Sequence, residues 1–167
     1  DGAVAKLILN RPDAANTFDV EMSRAMLEAV VTCDEDPSIR CVVLTGTGKM
    51  FSGGGDVGSF ARAGDRMPHL AKEMTAYLHT SASRLVRMPK PVIVAVNGAA
   101  AGIGLADEAV ATSAGQRAAE LARQVANGPG LAYGRIKAGL RRGMMGLDQA
   151  LEFQLDKLEL SRFEPYL

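Results

Sequence analysis

Apolar positions along this chain fall into short runs with a period near two and longer runs with a period near four. Ala3 to Leu9 alternates loosely and is rich in Val, Ile and Leu, which predicts a strand. Asn10-Arg11-Pro12-Asp13 ends it, because Pro12 lacks an N–H and Asn and Asp favour turns. Asp19 is placed to cap a helix running to about Cys33, with Met22, Met26 and Val30 at four-residue steps and Ala25 and Ala29 beside them. Asp34 to Ser38, with Pro37, breaks that helix. Cys41-Val42-Val43-Leu44-Thr45 is a short β-branched run that predicts a buried strand, and a glycine-rich loop follows from Gly46 to Gly58. Leu70, Met74, Leu78, Leu85 and Met88 mark a second amphipathic helix, closed by Pro89 and Pro91. Pro91 to Val96 (PVIVAV) is the clearest strand signal in the chain, and it runs into Asn97-Gly98 and the small residues Ala99 to Gly104.

This alternation of strand, helix, strand, loop, helix and strand predicts an α/β fold of βαβ units, with a largely parallel sheet covered by helices. After about Ala106 the pattern becomes helical throughout. Ala114 to Ala126 is alanine-rich and is stopped by Asn127-Gly128-Pro129; Leu131 to Arg142 forms a basic helix; Leu147, Leu151, Leu155 and Leu158 mark a third. The expected organisation is therefore an α/β core over residues 1–105 and an all-helical region over 106–167.

Composition narrows the function classes. The 167 residues carry nineteen Lys+Arg against nineteen Asp+Glu, a formal net charge of zero. That balance lacks the basic footprint of a nucleic-acid binder or an anionic-membrane binder. No apolar run reaches the ~18 residues of a membrane span. With only Cys33 and Cys41, a disulfide framework is excluded and a reducing, cytoplasmic setting is expected. The first residues show no basic segment followed by an apolar core of the kind that marks a signal peptide. Two histidines, His69 and His79, leave little material for a histidine metal site or a triad.

Two glycine stretches carry the candidate chemistry. Gly53-Gly54-Gly55-Asp56-Val57-Gly58 satisfies G-x-G-x-x-G, but the preceding strand ends near Thr45, several residues too early for a dinucleotide fingerprint. Gly48-Lys49 is not a phosphate loop either, since Val43 stands at the required first glycine and Met50 at the Ser/Thr. Each stretch alone is explained by a turn or a close helix contact. Two of them, each just beyond a parallel strand, point to a ligand approaching backbone N–H groups where no Cβ intervenes.

These residues resemble the crotonase family, the enoyl-CoA hydratase/isomerase group. The resemblance rests on Leu9-Asn10-Arg11-Pro12 with Asn16-Thr17, on Val42 to Gly46 (VVLTG), on Phe51 to Val57 (FSGGGDV), and on Pro91 to Gly104 (PVIVAVNG-AAAGIG). It implies a crotonase-like βαβ core in which the two loops form an oxyanion hole for an acyl-CoA thioester, with the N–H groups of Gly53 and Ile103 as donors. It further implies that Ala15 and Thr17 line the nucleotide end of the coenzyme A groove. Gly55, Asp56, Val57 and Gly58 would line one side of the thioester, and Ala99, Ala101 and Gly102 the other. Asp56 has a second reading, as a helix cap, which outweighs proton transfer. Lys137 would either meet the coenzyme A phosphates or sit as a solvated helix charge. The resemblance calls for no metal and no redox cofactor, since coenzyme A belongs to the substrate, and implies a homotrimer or a dimer of trimers.

The pattern breaks after the second loop. Leu105 is followed almost at once by Ala106-Asp107-Glu108-Ala109, a segment that in the family lies further on, so on the order of 60–90 residues of βαβ units are missing. The chain is either shortened or joined across a gap near Leu105-Ala106; a parallel sheet cut after three strands would expose apolar faces, which favours the gap. No glutamate stands immediately after Gly104, so no acid or base is assigned, and the weight moves modestly from hydration towards isomerisation. The alternative is a protein of the same fold that binds acyl-CoA without turning it over.

Overall fold

A computed structural model of the chain describes residues 2–100 and 113–140. Its centre is a three-stranded parallel sheet in the order β1-β2-β4, built from Val4–Leu9, Cys41–Gly46 and Val92–Ala95. Helices α1 (Val20–Glu35) and α3 (Met67–Arg87) make the crossovers that parallel neighbours require. The middle strand β2 is buried on both faces, which is why CVVLTG reads as a continuous apolar run instead of alternating.

Alternation along β2 divides the core in two. Cys41 and Val43 pack with Ala95 against Ala118, Ala122 and Ala126 of α4 (Ala114–Ala126). The alanines recur every four residues, so α4 presents a smooth strip to the sheet. Val42 points the other way, into a cluster with Val30 and Cys33 of α1 and Met88 just beyond α3. Asp19 caps α1 as expected, its carboxylate accepting the Met22 amide at 2.8 Å.

Two short strands within the glycine stretches differ from the expected loops, and the helix expected after Asp56 is observed. The 46–58 loop contains a short strand, β3 (Met50–Ser52), and releases a seven-residue helix, α2, at Val57–Ala63. The second stretch opens with a two-residue strand, β5 (Ala99–Ala100). Strands of two or three residues are too short to show a period, so the sequence offered only the glycines. The helix predicted from Leu131 is observed over residues 130–140. The predicted helix around Leu147 to Leu158 and the junction at Leu105-Ala106 lie outside the described residues.

Candidate active site

The strands β3 and β5 pair in parallel, Met50 with Ala99 and Ser52 with Ala100. This small ladder, separate from the main sheet, sets the starts of both glycine loops side by side. Its glycines are sterically required at two points. A Cβ on Gly98, which has φ +84°, would lie 2.1 Å from the Lys49 carbonyl oxygen, and one on Gly46 would lie 2.7 Å from that of Phe51. Neither position accepts alanine without moving backbone.

The first loop zips onto the segment Ala15–Phe18. Gly53 donates its N–H to the Ala15 carbonyl (2.9 Å), Phe18 donates to the Gly54 carbonyl (2.7 Å), and Asp56 donates to the Phe18 carbonyl (2.8 Å). The expected donor Gly53 is thus already engaged. Thr17 also stands close, its methyl 3.0 Å from the place a Gly53 Cβ would take. Gly55 is the residue bracketed by the Phe18 bridge. In such a parallel bridge the bracketed residue turns its own N–H and C=O away from the partner strand. Gly55, not Gly53, therefore offers an outward-directed amide, and Phe60 and Met74 stand behind it, 3.3–3.6 Å from a would-be Cβ.

Asp56 is a helix cap. It accepts the Ser59 amide at 3.1 Å and the Ser59 hydroxyl at 2.9 Å, at the N-terminus of α2. These Ser59 bonds, and behind them the Arg11 guanidinium, hold its carboxyl below the usual carboxylate range. Arg11 reaches both Asp56 (3.3 Å) and Asp19 (3.1 Å), and donates to the Thr17 carbonyl at 2.6 Å. One guanidinium so joins the caps of α1 and α2. Val57, next in the chain, is 75% exposed at the edge of this loop, and Gly58 is exposed beside it. A cleft of about 490 Å³ between β1 and α1 shares Arg11 and Asp19 with the cluster but none of the loop glycines.

Ala15 and Thr17 come together with Gly53 as described. Ala99 joins the β3–β5 ladder through its backbone. Ala101, Gly102 and Ile103 lie outside the described residues, as do Asp107 and Glu108. Lys137 is not simply a solvated helix charge: its ammonium donates to the carbonyls of Leu85 (3.1 Å) in the last turn of α3 and of Lys90 (2.8 Å) just beyond it. Periodicity overlooked two asparagines. Asn16 is fully buried and Asn97 half-buried, and each bonds to several backbone groups of the turn between β2 and β3. The only available signal was an Asn inside each recognised motif. Among the described residues no cluster of three or more metal-ligating side chains occurs, and no helix is long and apolar enough to cross a membrane.

The family model described as enoyl-CoA hydratase/isomerase matches residues 1–112. The 1,2-epoxyphenylacetyl-CoA isomerase of Escherichia coli is 39% identical over 104 residues, 60% of this chain and 39% of that protein. A trans-2-decenoyl-acyl-carrier-protein isomerase of Streptococcus mutans is 36% identical over 103 residues, 61% of this chain and 39% of its own length. The chain thus spans about two fifths of these curated relatives. Among solved structures, an enoyl-CoA hydratase from Polaromonas shares the fold with a TM-score of 0.76 at 21% identity, covering 96% of this chain and 89% of the other.

Proposed function

The chain belongs to the enoyl-CoA hydratase/isomerase family, and from that premise we propose that it acts on acyl-CoA thioesters, hydrating a 2-enoyl group or moving its double bond. The observation that carries the reading is the parallel pairing of β3 with β5, which sets the starts of the two glycine stretches side by side. Both reactions place negative charge on the thioester oxygen as a proton leaves, or water adds, along the acyl chain. A backbone amide aimed at that oxygen stabilises the enolate-like state and is typically worth ~10²–10³ in rate. The outward amide of Gly55 takes this role in the first loop, replacing the expected Gly53, whose N–H is held by Ala15. Ile103 remains the proposed donor of the second loop.

Glycine at position 55 lets the loop pack against Phe60 and Met74, which stand 3.3–3.6 Å from a would-be Cβ, while its amide is presented. Asp56, held ionised by Ser59 and Arg11, serves to fix the start of α2 and does not shuttle protons. Coenzyme A enters as part of the substrate, and the chemistry calls on neither a metal nor a redox cofactor. The proposed assembly is a homotrimer or a dimer of trimers. Gly104 is followed by Leu105 and Ala106, with no carboxylate at that point, which favours proton shuttling over water addition.

One specific observation supports a second reading, binding without turnover. Asp56 is the carboxylate beside the described loop, and it is committed to capping. Incubating the full chain with 2-enoyl-CoA and with 3-enoyl-CoA, and separating the products, decides between the two. Interconversion of the enoyl isomers, or appearance of 3-hydroxyacyl-CoA, is the expected result. Saturable binding of both thioesters with no product would leave the binding reading standing and overturn the catalytic one.

A further inference from the structure

Side-chain chemistry cannot tune a backbone donor; its position can be set only by whatever fixes the backbone around it. Three carbonyls and one amide of the turn between β2 and β3 are held by two asparagine side chains. Asn16 donates from Nδ2 to the Thr47 and Met50 carbonyls, 2.8 Å each, while its Oδ1 accepts the Arg11 amide at 2.8 Å. Asn97 accepts the Gly46 amide on Oδ1 at 2.9 Å and donates from Nδ2 to the Gly48 carbonyl at 3.1 Å. The two amides converge on Gly46: a Cβ there would lie 2.9 Å from Asn16 Nδ2 and 3.1 Å from Asn97 Oδ1.

Each asparagine also stands at the entrance to one loop. Asn97 ends the run from β4 and precedes Gly98 and β5. Asn16 lies in the segment that zips onto Gly53–Asp56, and its own carbonyl accepts the Ser52 hydroxyl at 3.0 Å. The Ser52 oxygen in turn accepts the Gly54 amide at 3.1 Å, next to Gly55. Hydrogen bonds linked by the backbone of the β2–β3 turn therefore connect Asn97 to Asn16, Ser52 and Gly54.

We infer that Asn16 and Asn97 are paired positioning residues: through the shared turn they set β3, and with it the Gly55 amide of the first loop, against the start of β5. The inference rests on the acyl-CoA reading above. Misplacement of a catalytic group by about 1 Å can cost ~10²-fold in rate, so these residues govern kcat. A role in positioning a donor predicts a fall in kcat with KM little changed.

The test uses the full chain and the variants Asn97→Asp, Asn97→Ser, Asn16→Asp and Ser52→Ala. Asn→Asp keeps the shape and the accepted bond but replaces the donated bonds with a carboxylate facing carbonyls. Two readouts are taken well below each variant's Tm: steady-state kinetics on the enoyl-CoA that wild type turns over, and the enolate absorbance of bound acetoacetyl-CoA across pH. The latter reports how well the site stabilises a thioester enolate, which a purely structural residue would not alter in a folded protein. The expected result for the Asn97 variants is a loss of about 10-fold or more in kcat, a KM within about 3-fold, and an enolate that forms only at higher pH. Ser52→Ala is expected to show a smaller change in the same direction. Should Asn16→Asp not fold, being buried, the Asn97 and Ser52 variants decide. Folded variants with wild-type kcat and an unshifted enolate would overturn the inference while leaving the acyl-CoA reading intact. Wild type that neither turns over enoyl-CoA nor enolises the bound ligand would overturn both.

Discussion

Ala15 and Asn16 stand side by side with φ of +52°, a conformation that costs most L residues about 1–2 kcal/mol. Asparagine tolerates it, but alanine has no such excuse, and the strain has a visible use. It directs the Ala15 carbonyl to the Gly53 amide and the Asn16 carbonyl to the Ser52 hydroxyl. Replacing Ala15 by glycine relieves the strain while loosening the unfolded chain by about 0.4–1 kcal/mol. The net effect on Tm is expected to be neutral or slightly upward, against the usual fall for Ala→Gly; a drop of several degrees would count against the strain. Asp56 offers a second check at this scale. Its carboxyl is held low by Ser59 and then Arg11, so its contribution is fully present above the unfolded value, about 3.9, and fades as pH falls through the folded value. Wild type should therefore exceed Asp56→Asn in Tm by a constant margin near neutrality, and the two curves should converge in acid. A margin that widens in acid would contradict this.

At the scale of elements, charged side chains close the ends that periodicity leaves open. Arg11 bridges the carboxylates that cap α1 and α2, each of which uses Oδ1 for its helix and Oδ2 for the guanidinium. Lys90 donates to the Cys33 and Asp36 carbonyls at the end of α1, and Lys137 to the Leu85 and Lys90 carbonyls at the end of α3. Cations at helix C-termini satisfy orphan carbonyls and favour the dipole. Lys137→Met keeps much of the stem and removes the bonds, so a loss of about 1–3 kcal/mol in denaturant unfolding is expected. An unchanged midpoint would return Lys137 to the solvent-exposed role its helix position suggested. The long elements were legible because burial imposes a period: β1, β2, β4, α1, α3 and α4 all emerge near their observed bounds. What was not legible depended on pairing across long sequence separations. Whether Gly53 or Gly55 presents its N–H follows from a bridge to Phe18, and nothing in FSGGGDV encodes that direction. Asn16 and Asn97 stood out only as members of the recognised motifs, because side-chain bonds to a distant turn leave no local pattern.

For the molecule as a whole, the two faces of β2 organise everything described. One face meets the alanine strip of α4, the other the larger residues of α1 and the end of α3. Both cysteines sit inside these clusters, Cys41 on the α4 side and Cys33 on the other. Burial raises both thiols above their ordinary range, which suppresses the reactive thiolate. Native protein is expected to resist alkylation by iodoacetamide, with both thiols reacting in step with global unfolding. Fast labelling of either one in native buffer would mean that its cluster opens independently.

The separation of the β3–β5 ladder from the main sheet has a consequence for how the molecule fails. The ladder has two paired positions, whereas β1, β2 and β4 share a continuous register backed by both core clusters. Elements with little apolar backing open at lower free energy than the core around them. Amide deuteration of residues 50–55 should therefore outpace that of β2, through excursions that leave the β2 core closed. A preparation can keep its full circular dichroism and cooperative melt while its loops have drifted out of register. For this fold a spectrum of intact secondary structure certifies the scaffold and says nothing about the site.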